Sequence, residues 1–160
     1  MAQPDGDSAR APGDLDADRH WLTAAIDLSR QSPPSTAAFS VGALVVARSG
    51  EVIATGYSRE VDPADHAEEI ALRRAAGAEF AGATLYSSLE PCLRRASRPD
   101  SCAALISAAG VRRVVIAWRE PPLFAPGGGA AWLAAHGIRV VVLPELATAA
   151  KAVNRHLLGI

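Results

Sequence analysis

A chain of 160 residues, 49% hydrophobic and 21% charged, is long enough for one compact domain whose core needs no covalent staple. Its Lys+Arg count of 16 against Asp+Glu of 17 gives a formal net charge of -1. That balance argues against a protein built to coat nucleic acid or an acidic membrane surface. Residues 1–14 are rich in Ala, Pro, Asp and Gly and read as a disordered tail before a single domain over residues 15–160. The start has no basic segment followed by an apolar one, so a secretory signal is not expected there. No run approaches the ~18 apolar residues of a membrane span. A cytoplasmic location is the default expectation. From Leu15 an amphipathic pattern predicts a helix that ends before Pro33-Pro34. Phe39 to Val46 and Val52 to Gly56 flank Ser49-Gly50-Glu51 and read as a hairpin. Asp65 is the expected cap of a helix over His66 to Gly77. Ala83 to Leu89 is a third strand, and a helix follows from Ser101 to Ala109, stopped by Gly110. Val111 to Trp118 is apolar on both faces, as a buried parallel strand is. After a loop from Pro121 to Gly129 come a short helix at Ala130 to Ala135, a strand at Ile138 to Leu143 and a closing helix at Leu146 to Leu158. A hairpin followed by βαβαβ units implies an α/β domain: a three-layer α/β/α sandwich with a five-stranded mixed sheet.

Three short pieces carry chemistry. His66-Ala67-Glu68 opens the second helix, Glu90-Pro91-Cys92 follows the third strand, and Cys102 starts the third helix. The chain's two cysteines, Cys92 and Cys102, are too few for a disulfide framework, so they are buried filler or reactive thiols. One imidazole and two thiolates suit tetrahedral Zn2+, and three protein ligands leave a fourth position for chemistry. Cys102 near a helix N-terminus feels the positive end of the dipole, which favours the thiolate. Glu68, two residues after His66, points elsewhere than the imidazole and is read as the proton carrier. H-x-E, then P-C, then a further Cys is the zinc-deaminase pattern. His20, His136 and His156 have no Cys neighbour and read as structural. Arg94, Arg95 and Arg98 lie between the cysteines, either as a phosphate clamp or as a solvated loop. Gly127-Gly128-Gly129 reads as a flexible loop. Trp118 and Phe124 flank the fourth strand end, to stack on a ring or to fill an edge.

The run Thr84-Leu-Tyr-Ser-Ser-Leu-Glu-Pro-Cys92 resembles the cytidine-deaminase-like superfamily, and more narrowly the pyrimidine deaminase domain of the riboflavin-biosynthesis enzymes. The likeness runs from about Trp21 to Val142 and takes in Val41-Gly42-Ala43, His66-Ala67-Glu68 and the stretch after Cys102. The loop between the cysteines, Leu93 to Ser101, resembles the wide loop of the riboflavin type, not the short one of nucleoside and tRNA-editing deaminases. The resemblance implies a cytidine-deaminase-like fold, with His66, Cys92 and Cys102 as zinc ligands and Glu68 as the catalytic group. It also implies hydrolytic deamination of diaminohydroxyphosphoribosylaminopyrimidine. Ala38-Phe39 stand where that family has Asn-Pro, and Glu120-Pro121-Pro122 where it has Asp-Pro-Asn-Pro. Phe39 before Val-Gly-Ala resembles nucleoside deaminases and keeps a cytidine-, cytosine- or guanine-type substrate as the alternative. Arg98, Arg94, Phe39 and Trp118 are the expected substrate contacts. The expected partner is a small pyrimidine-type molecule, phosphorylated or not, with no nucleic acid and no membrane. A homodimer or larger homo-oligomer is expected from family habit and apolar helices. The chain ends where the family's reductase domain would begin, so a standalone deaminase domain is expected. An editing deaminase is disfavoured by the charge balance and by only 5% aromatic residues. A non-enzymatic zinc-stabilised protein is disfavoured by Glu68, which a structural site does not need.

Overall fold

The computed structural model describes residues 12–96 and 98–160. Most of the expected tail lies outside the described residues. Asp14 lies inside them and caps the first helix, accepting from the Asp16 amide at 2.7 Å. The elements run α1 Leu15–Ser29, β1 Gly42–Val46, β2 Val52–Tyr57, α2 Ala67–Arg74, β3 Thr84–Ser87, α3 Cys102–Ala109, β4 Arg113–Ile116, α4 Gly129–Ala135, β5 Arg139–Val142, α5 Ala147–Val153 and α6 Arg155–Leu158. The sheet order is β2-β1-β3-β4-β5. β1 pairs antiparallel with β2 and β3, while β3, β4 and β5 run parallel. The sheet is therefore mixed, as its hairpin and crossovers require.

Helix α1 covers one face of the sheet and contacts α5, while α2, α3 and α4 form the other layer. Two glycines set the spacing. A Cβ at Gly42 would meet the Ala25 carbonyl oxygen of α1 at 2.0 Å. One at Gly56 would meet the Ala67 carbonyl oxygen of α2 at 2.5 Å. Both helices thus approach the strands more closely than any side chain allows. Leu22 and Ile26 on one side and Ile70 and Ile106 on the other are fully buried, each contributing about 1.5–3 kcal/mol. No helix among the described residues is long and apolar enough to cross a membrane.

Two local expectations need correction. Asp65 does not cap α2; His66 occupies that position, and its amide donates to Glu69 Oε1 at 3.1 Å. Asp65 instead accepts from the Asp62 amide at 2.7 Å, closing the turn before the helix. The expected closing helix is divided at Asn154. The Asn154 side chain turns inward to the backbone of Ser40, accepting from its amide and donating to its carbonyl. That competition with the helical ladder is the usual reason for a break at Asn.

Candidate metal centre and active site

The site lies where β3 ends and α2 and α3 begin. His66 enters from the N-terminus of α2, Cys92 from the turn after β3, and Cys102 is the first residue of α3. Their Nδ1 and two Sγ atoms lie within 4.8 Å of one another. His66 Nδ1 is 3.5 Å from Cys92 Sγ and 3.4 Å from Cys102 Sγ. The donor set fits zinc. Bonds of about 2.3 Å to sulfur and 2.05 Å to nitrogen at a tetrahedral angle put sulfur and nitrogen about 3.5 Å apart.

Local structure prepares the thiolates. The Cys102 amide, unpaired within its own helix, donates to Cys92 Sγ at 3.3 Å, and the Ala103 amide donates to the Cys92 carbonyl. The Cys102 thiol also donates toward Cys92, and the nearby imidazole adds to it. Against the cost of burial these hold Cys92 down to about 4. Cys102, the donor of the pair and fully enclosed, is pushed up.

Glu68 is buried, 4% exposed, and takes no part in the donor cluster. The Ser87 hydroxyl at the end of β3 donates to its Oε1 at 2.7 Å. Burial pushes the Glu68 carboxyl up against the counteracting charge of His66. Glu69, the next residue, is also burdened by burial. It is nevertheless held low by the His66 amide and by Arg95 and Arg98. Glu90 braces the site from behind. Its two carboxylate oxygens accept from the Glu120 and Ala130 amides at 3.0 and 2.9 Å, tying the loop after β4 to the Cys92 turn.

A cavity of about 270 Å³ opens over this centre, with Glu68, His66 and Cys92 in its wall together with Phe39, Arg59, Arg94 and Glu120. Phe39 meets Phe124 edge-on at 5.1 Å. Burial and the nearby acidic groups push Glu120 up to about 7. Arg94 is exposed at the rim. Two expected contacts do not reach the cavity. Trp118 sits behind Phe39, ring centroids 5.7 Å apart, and carries Lys151 on its own face. Arg98 points at carboxylates: 3.1 Å to Asp65, 3.5 Å to Asp62 and 3.5 Å to Glu69. Its guanidinium is engaged by these carboxylates and does not line the opening. Arg95 is likewise engaged, with Glu69 at 3.1 Å. His136 stacks on Trp132, and His156 contacts the Ser35 carbonyl oxygen. Sequence reasoning missed Arg59, which no motif marks. It noted Glu120 only through the turn that follows.

Comparison with known proteins agrees with this geometry. The deaminase of Schizosaccharomyces pombe described as "Diaminohydroxyphosphoribosylamino-pyrimidine deaminase" is 34% identical over 125 residues, covering 76% of this chain and 31% of that protein. Riboflavin biosynthesis protein RibD of Escherichia coli is 37% identical over 124 residues, covering 77% of this chain and 33% of that one. The chain thus spans about a third of the length of these relatives. The solved structure of Acinetobacter baumannii RibD, form 1, superposes with a TM-score of 0.75 at 30% identity, covering 91% of this chain and 40% of that one. The model of the cytidine and deoxycytidylate deaminase zinc-binding region matches residues 15–118. That stretch holds the imidazole, both thiols and the buried glutamate, and the chain belongs to this deaminase family.

Proposed function

We propose that this chain is a zinc-dependent hydrolytic deaminase of an amino-substituted pyrimidine, acting on the diaminohydroxyphosphoribosylaminopyrimidine of riboflavin biosynthesis. The observation that carries this reading is the buried Glu68 in the wall of the same cavity as His66 and Cys92, with Cys102 beside them. His66, Cys92 and Cys102 hold the metal. When bound, zinc supplies Lewis acidity that lowers the pKa of a water to about 7. Glu68 moves the protons. Its Oε1 is held by Ser87, which leaves Oε2 to take a proton from the attacking water. The same oxygen returns it to the ring nitrogen and carries the next to the departing amine. A C–O bond forms at the amidine carbon, the C–N bond breaks, and ammonia leaves. Phe39 and Phe124 form an apolar wall for the ring. Arg94, exposed at the rim and without an ion pair among the described residues, faces the phosphate.

The names of the relatives support the riboflavin substrate. Phe39 in the cavity wall favours a second reading, a nucleoside or nucleobase of the cytidine, cytosine or guanine type. The experiment is ammonia release by the zinc-loaded protein from the riboflavin diaminopyrimidine, cytidine, deoxycytidylate, cytosine and guanine. Release from the first is expected. Release only from a cytosine- or guanine-type ring transfers the assignment to the second reading, and release from none ends both. Metal analysis is expected to find one zinc per chain, lost in Cys92→Ala and in Cys102→Ala.

A further inference from the structure

Among the described residues, Arg59 is the one non-glycine residue with positive φ, +58°. L-residues reach that region only at a cost, and such strain gathers where a structure fixes a site. Its backbone and side chain act in two directions. The Arg59 amide donates to the Asp65 carbonyl at 2.9 Å, directly before His66. The guanidinium crosses to the segment between α1 and β1. Nε and Nη2 donate to the Pro33 carbonyl at 3.1 and 2.7 Å, Nη1 to the Phe39 carbonyl at 3.1 Å, and Nη2 to Ser40 Oγ at 2.9 Å. All three acceptors are neutral. The fork therefore serves geometry: its planar donors bind both ends of one segment at once. Asn154 grips the same segment from the far end of the chain, through the amide and carbonyl of Ser40. Between these grips lie Ala37, Ala38 and Phe39, which form one wall of the cavity.

We propose that Arg59 is a positioning residue which, with Asn154, fixes the Pro33–Ser40 segment against the His66 turn and so sets the substrate-side wall of the cavity. This rests on the deaminase reading above. A residue acting this way governs how well substrate is seated and leaves metal and proton carrier untouched. A misplacement of about 1 Å in such a wall costs up to ~100-fold.

The test compares Arg59→Gly, Arg59→Lys and Asn154→Asp with the parent, all zinc-loaded. Glycine accepts the φ of +58° without strain, so Arg59→Gly removes the side chain and its four hydrogen bonds without straining the backbone. KM is expected to rise roughly ten- to a hundred-fold, with kcat within about two-fold and zinc content unchanged. Guanidinium ion at non-denaturing concentration, and not ammonium, is expected to restore part of KM. Lysine, a single point donor, should fall between. Asn154→Asp keeps the acceptor for the Ser40 amide and loses the donor, so its KM should rise less. An unchanged KM in Arg59→Gly, an equal loss in kcat, or loss of zinc overturns the proposal. Hydrogen exchange gives a readout free of turnover. The amides of Ala37 to Ser40 should exchange at least ten-fold faster in Arg59→Gly, with those of Glu68 to Leu72 unchanged. If the parent releases ammonia from no substrate, the deaminase reading fails, and unaltered exchange over Ala37 to Ser40 then rejects the clamp itself.

Discussion

Two neighbouring residues of β3 face opposite ways and serve opposite ends. Successive strand residues alternate faces, so Tyr86 points toward α1 and Ser87 toward α2. The Tyr86 hydroxyl donates to Asp18 Oδ1 at 2.6 Å, and Arg113 grips the same carboxylate through two nitrogens at 2.9 and 2.6 Å. That cluster is closed, because a fully buried charge has an opposite charge and a hydroxyl as partners. Burial alone would raise Asp18, yet the bonds from Arg113 and Tyr86 and the Arg113 charge hold it below its ordinary value. On the other face the Ser87 hydroxyl meets Glu68, which has no guanidinium partner among the described residues and is pushed up. The first arrangement stabilises the fold. The second leaves a carboxyl whose ionised form is costly and therefore ready to take a proton.

The largest expected effect separates the two faces. Glu68→Gln keeps the shape and cannot accept a proton, so kcat should fall by roughly 10²- to 10⁴-fold, with zinc retained and Tm no lower. Steady-state ammonia release and scanning calorimetry read both halves. A variant with near-parental turnover removes Glu68 from the chemistry.

Arg113→Ala should do the reverse. It strands the buried Asp18 charge and should cost about 3–5 kcal/mol in urea unfolding, while turnover per folded molecule stays near that of the parent. A loss below ~1 kcal/mol would mean the cluster is not the closed unit described.

A smaller effect is expected from acid. Asp18 is lowered in the fold from its ordinary 3.8, so its contribution is present above that value and is lost as pH falls through the depressed one. Stability should therefore drop below about pH 4. Asp18→Asn should be less stable at neutral pH and flatter across that range. An acid limb as steep as the parent's would assign it to other carboxylates.

The smallest effect contrasts two arginines of one loop. Arg94→Ala should raise KM for a phosphorylated substrate by roughly ten-fold and leave the dephosphorylated form unaffected. Arg98→Ala, whose partners are Asp62, Asp65 and Glu69, should not tell the two substrates apart. The opposite pattern would return the phosphate contact to Arg98.

The sequence by itself determined the order of elements, the mixed sheet and the donor set. These follow from local rules: apolar, β-branched runs mark strands, Gly and Pro mark their ends, and His66 and Cys102 each stand at a helix N-terminus where backbone amides are free, with Cys92 in the turn after β3. Only the tertiary structure decided what the long polar side chains reach. Arg59 meets Pro33 26 positions away, Asn154 meets Ser40 114 away, and Arg113 meets Asp18 95 away. Arg98 and Arg94, four positions apart, divide between a half-buried ion cluster and the cavity rim. No periodicity records such pairings. They depend on which carboxylates and carbonyls the folded backbone leaves within reach of a flexible guanidinium, and a buried charge goes to the partner that offsets its lost hydration.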